Sequence, residues 1–120
     1  MDIIKSKEKL KESVDKIRVK YPDKVPVFVT RGKSDRILKD IKQNKFLVPE
    51  NITIGQFMFI LRKKIDLGAE MAIFLFINNG ILPAQTTTME NLYNNYKNKD
   101  GLLEIYYCGE NTFGKKKIKY

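Results

Sequence analysis

The stretch "NITIGQF", residues 51–57, constrains this chain more tightly than any other. Thr53 followed three residues later by Gln56 can satisfy two orphan backbone N–H groups reciprocally, and Ile52 and Phe57 stand where a hydrophobic staple fixes a helix entry. A helix is predicted to start at Ile54. Its apolar positions Phe57, Ile60 and Leu61 recur at helical spacing as far as Ile65, and Gly68 is the expected stop. With this helix pinned, the short runs "KFLVP" before it and "AIFLFIN" after it read as strands. The second, continuously apolar from Ala72 to Ile77, is expected to be the central strand, buried on both faces.

The remaining elements follow from period and punctuation. Residues 6–20 place Leu10, Val14 and Ile17 on one helical stripe, which must end near Tyr21-Pro22 because a proline disfavours helical geometry in the residue before it. "KVPVFVT" is β-branched and aromatic, hence a strand, and Pro26 suggests an edge or starting position. "RGKSDRILKDIKQN" is polar and reads as a connection. Asn79-Gly80 supplies a turn, Thr88 can cap a short helix carrying Met89, Leu92, Tyr93 and Tyr96, and Leu102 to Tyr107 forms the last strand. The order helix, strand, strand, helix, strand, helix, strand predicts an α+β sheet with the helices on one side.

A chain of 120 residues, 42% apolar, fits one modest core. No apolar run reaches the roughly 18–20 residues of a membrane span, and the N-terminus lacks the apolar centre of a signal peptide, which points to a cytosolic protein. One cysteine, Cys108, and no histidine leave no internal disulfide, no cysteine-cluster zinc site, no usual general base and no metal centre. Cys108 therefore reads as a small residue at a strand end. No glycine pattern forms a phosphate loop, and neither a catalytic constellation nor a cofactor is expected. The net charge of +9 attracts anionic partners, but four lysines (115, 116, 117 and 119) belong to a terminal run beyond Gly114. No exposed aromatics on basic strands accompany them, so nucleic acid is not the expected partner.

The strings "KIRVKYPDKVPVFV", "KFLVPENITIGQFMFILRKKI", "AIFLFINNG" and "TTTMENLYNNYKNKDGLLEIYYCGENTFG" resemble, in order and spacing, the autophagy ubiquitin-like modifiers, the family that includes GABARAP. The resemblance covers roughly Lys16 to Gly114. It implies a ubiquitin-like β-grasp with N-terminal helices packed on a four-stranded mixed sheet. The expected parts are an N-terminal helical segment at 1–22, the β-grasp domain at 23–108 and a flexible tail at 109–120. It further implies a modifier rather than an enzyme. A cysteine protease would cut the Gly114–Lys115 bond, next to Phe113, and activating and conjugating enzymes would join Gly114 to phosphatidylethanolamine. A cytoplasmic precursor would thereby move to autophagosomal and vesicle membranes.

The resemblance also implies docking of cargo receptors and adaptors through peptides with an aromatic residue and, three positions on, an aliphatic one. The aromatic pocket would use Ile17, Pro26, Phe28, Lys45, Leu47 and Leu102; the aliphatic pocket Phe46, Val48, Pro49, Ile52, Phe57 and Ile60. Lys24, Lys45, Arg62 and Lys64 would attract acidic residues flanking such peptides. Phe74 and Phe76 are expected in the core first and in the processing surface second. Ser13 stands where the family commonly lines the aromatic pocket with an acidic residue, Leu102 where it has phenylalanine, and Gln43 and Asn44 where it is often basic. The alternative reading keeps the fold but makes the chain a non-conjugated adaptor that only binds peptides.

Overall fold

The computed structural model describes residues 2–33, 37–68, 70–78 and 80–109, with residues 2–9 described by backbone alone. The elements are α1 (Asp2–Lys20), β1 (Lys24–Arg31), β2 (Lys45–Pro49), α2 (Ile54–Lys64), β3 (Phe74–Ile77), α3 (Met89–Tyr96) and β4 (Leu103–Cys108). Their order is the predicted one. The sheet runs β2-β1-β4-β3, with β1 antiparallel to β2 and parallel to β4, and β3 antiparallel to β4. It is the expected four-stranded mixed sheet.

Five local expectations are corrected. The N-terminal segment is one helix rather than several, because nothing between Asp2 and Lys20 is a glycine or proline that would break it. β3 is an edge strand rather than the central one. Apolarity measures burial of its faces, not its neighbours in the hydrogen-bonding direction, and Leu75, Phe76 and Ile77 are all buried at the edge. Conversely β1, with its proline, lies inside the sheet. Pro26 is tolerated because pairing with β4 begins only at Val27 opposite Leu103, so its missing N–H falls where no partner strand yet stands.

α2 ends at Lys64, not Gly68. Asp66 takes the left-handed conformation (φ 53°), its N–H donates to the Lys63 carbonyl at 3.3 Å, and Leu67 N–H donates to the Arg62 carbonyl at 2.9 Å. These two bonds close a Schellman motif around a residue other than glycine. At the other end of α2, Gln56 N–H donates to Thr53 Oγ1 at 3.1 Å and Thr53 N–H to Gln56 Oε1 at 2.9 Å. The capping box is complete.

The helices also divide between the two faces of the sheet instead of sharing one. Val25, Val27 and Val29 of β1 cluster with Phe57 and Leu61 of α2 and with Met89, Leu92 and Tyr93 of α3. The alternate residues of β1 and β2, Pro26 and Leu47, point the other way and meet Val14 and Ile17 of α1. The polar connection after β1 adds Leu38 and Ile41 to the core, held down by Arg31, which donates to the Leu38 carbonyl at 2.8 Å and pairs with Asp40 at 3.2 Å.

Candidate functional site

Two features meet at β2: an open strand edge and a cavity behind it. α1 lies across the face of the sheet opposite the main core, and the gap it leaves is a cavity of about 200 Å³. Leu10, Val14 and Ile17 form one wall, at the spacing of a single helical stripe; Pro26, Leu47 and Leu102 form the other. Ser13 and Lys45 are its exposed polar members. Of the residues expected in the aromatic pocket, Ile17, Pro26, Lys45, Leu47 and Leu102 come together here. Phe28 is half-buried on β1 opposite Lys45 and does not line the cavity. Leu10 and Val14 were absent from the expected set, although the stripe that Ile17 belongs to already pointed to them.

The residues expected in the aliphatic pocket sit at two depths. Val48 and Phe57 are core, at 2% and 0% exposure, whereas Phe46 and Ile52 are half-buried against that core. Phe46 meets Phe57 edge to face, centroids 5.6 Å apart. Pro49 and Ile60 are exposed, Ile60 at 39%. Alternation along β2 thus sends Phe46 and Val48 to one face and Lys45 and Leu47 to the other, so side chains of an added strand would meet different surfaces on the two sides of this edge.

The basic rim is not continuous. Lys64 lies on the α2 face that carries Phe57 and Ile60, but Arg62 is turned away, donating to the Gly68 carbonyl at 3.2 Å and lining a shallow groove with Phe59, Lys63 and Leu67. Lys24 is half-buried with its ammonium 5.7 Å from the centre of the Tyr21 ring. At the end of β2 the carboxyl of Glu50 is held above the usual carboxylate range, chiefly by a side-chain hydrogen bond with Glu90 and next by desolvation, with Arg18 opposing. Phe76 is buried, as expected of a core residue. Phe74 is half-buried and lines a separate cavity of about 170 Å³ with Ile54, Met58 and Leu82. Phe113, Gly114 and the bond to Lys115 lie outside the described residues. No described group of cysteines and carboxylates could hold a metal ion, and no described helix is long and apolar enough to cross a membrane.

A four-stranded mixed sheet crossed by α2 and α3 on one face, with an extra helix on the other, defines a ubiquitin-like domain carrying an N-terminal extension. The family model "Autophagy protein Atg8 ubiquitin like" matches residues 8–114. Autophagy-related protein 8e of Arabidopsis thaliana is 44% identical over 111 residues, covering 92% of this chain and 89% of that protein. Autophagy-related protein 8 of Mycosarcoma maydis is 44% identical over 108 residues, covering 89% of each. The crystal structure of Trypanosoma brucei ATG8 superposes with a TM-score of 0.80 at 33% identity, covering 87% of this chain and 88% of that one. The chain belongs to the Atg8 family of autophagy ubiquitin-like proteins.

Proposed function

We propose that this protein is a lipid-conjugated modifier of autophagic membranes and a dock for aromatic-x-x-aliphatic peptides of cargo receptors and adaptors. The observation that carries the docking half is the outer edge of β2, with a mostly apolar cavity on one face and the half-exposed Phe46, Ile52 and Ile60 on the other. An extended peptide added to that edge gains main-chain hydrogen bonds, while residues three apart point to opposite faces and so need two separate recesses. Lys45, which lines the cavity, and Lys64, in the last turn of α2, would favour acidic residues beside the motif, an attraction that salt weakens.

The conjugation half is supported by membership of the family and by the Gly-Glu-Asn-Thr-Phe-Gly string at 109–114. Cleavage after Gly114 would expose a carboxylate that activating and conjugating enzymes can transfer to the amine of phosphatidylethanolamine. Two acyl chains then anchor the protein at about 0.8 kcal/mol per buried CH₂. The chain is the substrate of these steps and not their catalyst. Intact-mass measurement of the protein from its native cells tests the proposal. The expected species lack the last six residues, and a lipid adduct appears that Gly114→Ala abolishes. Full-length mass alone, under starvation as in fed cells, would refute it.

A further inference from the structure

The register of β2 fixes which of its backbone groups face outward. Val29 N–H donates to the Asn44 carbonyl at 2.8 Å and Glu50 N–H to the Asp23 carbonyl at 3.0 Å. In this antiparallel ladder the hydrogen-bonded pairs are therefore Val29–Asn44, Val27–Phe46 and Val25–Val48. Lys45 and Leu47, in the pairs between them, turn their N–H and C=O groups away from β1. Pro26, which has no N–H to give, stands opposite Leu47, as this phase requires.

One of those outward groups already has a partner from within the chain. Gln43 Nε2 donates to the Lys45 carbonyl at 2.8 Å, from an exposed side chain two residues before it. The amide thus occupies the position where the N–H of an added strand would stand. Its neighbour Asn44 makes the matching bond on the inner side, Nδ2 to the Val29 carbonyl at 2.7 Å, and so extends the ladder with β1.

We infer that Gln43 is a specificity-determining residue, a built-in competitor that an incoming strand must displace from the Lys45 carbonyl. The inference rests on the docking reading proposed above. An unprotected edge accepts strands indiscriminately. With the Lys45 carbonyl held by Gln43, a segment offering only main-chain hydrogen bonds gains little, whereas one that also seats a side chain on each face of the edge still prevails.

The test uses the full chain, its Gln43→Ala variant, a synthetic peptide carrying Phe-x-x-Leu between acidic residues, and singly N-methylated versions of that peptide. Displacing one exposed hydrogen bond should weaken docking by about threefold. Gln43→Ala is therefore expected to tighten the unmodified peptide by about that factor. The version methylated at the amide that pairs with Lys45 cannot replace the displaced bond, so both proteins should bind it more weakly than the unmodified peptide. In the unliganded protein the Lys45 carbonyl carbon resonance should move on the same substitution. A moved resonance with unchanged or weakened affinity overturns the competition, and an unmoved resonance overturns the contact itself. Failure of the unmodified peptide to bind either protein, or binding insensitive to Leu47→Asp, overturns the docking reading and this inference with it.

Discussion

Tyr93 joins three parts of the molecule through one ring. Its hydroxyl donates to the Gly101 carbonyl at 2.6 Å, and the Arg18 guanidinium lies 4.9 Å from the ring centre, with the Lys97 ammonium at 5.5 Å. Arg18 also donates to the Lys24 carbonyl, so α1, α3 and the turn before β4 are fastened at one point. Burial pushes the Tyr93 phenol above its ordinary value, with Arg18 opposing. The raised value means that the folded protein holds this proton more tightly than the unfolded chain. Its contribution is complete below pH 10 and is lost as pH rises through the folded value. Tyr93→Phe should therefore cost about 1 kcal/mol at neutral pH and make the fall of stability above pH 10 shallower, read by urea denaturation at several pH values. Gly101 is bound to the same geometry: its φ is 83°, and a Cβ there would stand 3.0 Å from Val14 Cγ1. Gly101→Ala should lower stability by more than about 1 kcal/mol, measured the same way.

At the scale of elements, what the sequence discloses depends on how local the cause is. The start of α2 is legible because Thr53, Gln56, Ile52 and Phe57 settle it among themselves; Thr53→Ala should cost about 1 kcal/mol by thermal or chemical unfolding. The end of α2 is not, since Gly68 is the obvious stop and the chain uses Asp66 in the left-handed region two residues earlier. Strand existence is likewise local, but strand order is not. "AIFLFIN" declares a buried strand without declaring that β4 will pair with only one side of it, and Pro26 suggests an edge only until the register places it before the first β1–β4 pair. Leu38 and Ile41 were hidden by the polar residues around them, and the partner of Arg31 is visible only once the connection is folded back. The candidate site follows the same rule. The alternation of β2 and the stripe on α1 could each be read from the chain. That they face each other across about 200 Å³, with Phe28 outside and Leu10 inside, could not, because it depends on which side of the sheet α1 takes.

For the whole molecule, the division of helices between the two sheet faces separates stability from the proposed docking. Among the residues whose side chains are described, none of α1 belongs to the main core, which joins α2, α3, the sheet and the β1–β2 connection. The cavity side, in contrast, is built by α1 against Pro26, Leu47 and Leu102, and Ile17 is only half-buried there. A substitution on one face should therefore move one observable and largely spare the other. Phe57→Ala removes a fully buried ring from the core and should cost about 3–5 kcal/mol, a large part of what holds so small a domain together. Ile17→Ala should cost about 1 kcal/mol or less, since a half-buried side chain loses only part of its transfer energy. It also removes part of the cavity wall that an aromatic side chain would contact, so it should weaken an aromatic-x-x-aliphatic peptide by about tenfold, the equivalent of 1.4 kcal/mol. The two variants are distinguished by measuring the unfolding midpoint and the peptide Kd on each. If Ile17→Ala lowers the midpoint as much as Phe57→Ala and leaves Kd unchanged, α1 is part of the core and the cavity is not where the peptide docks.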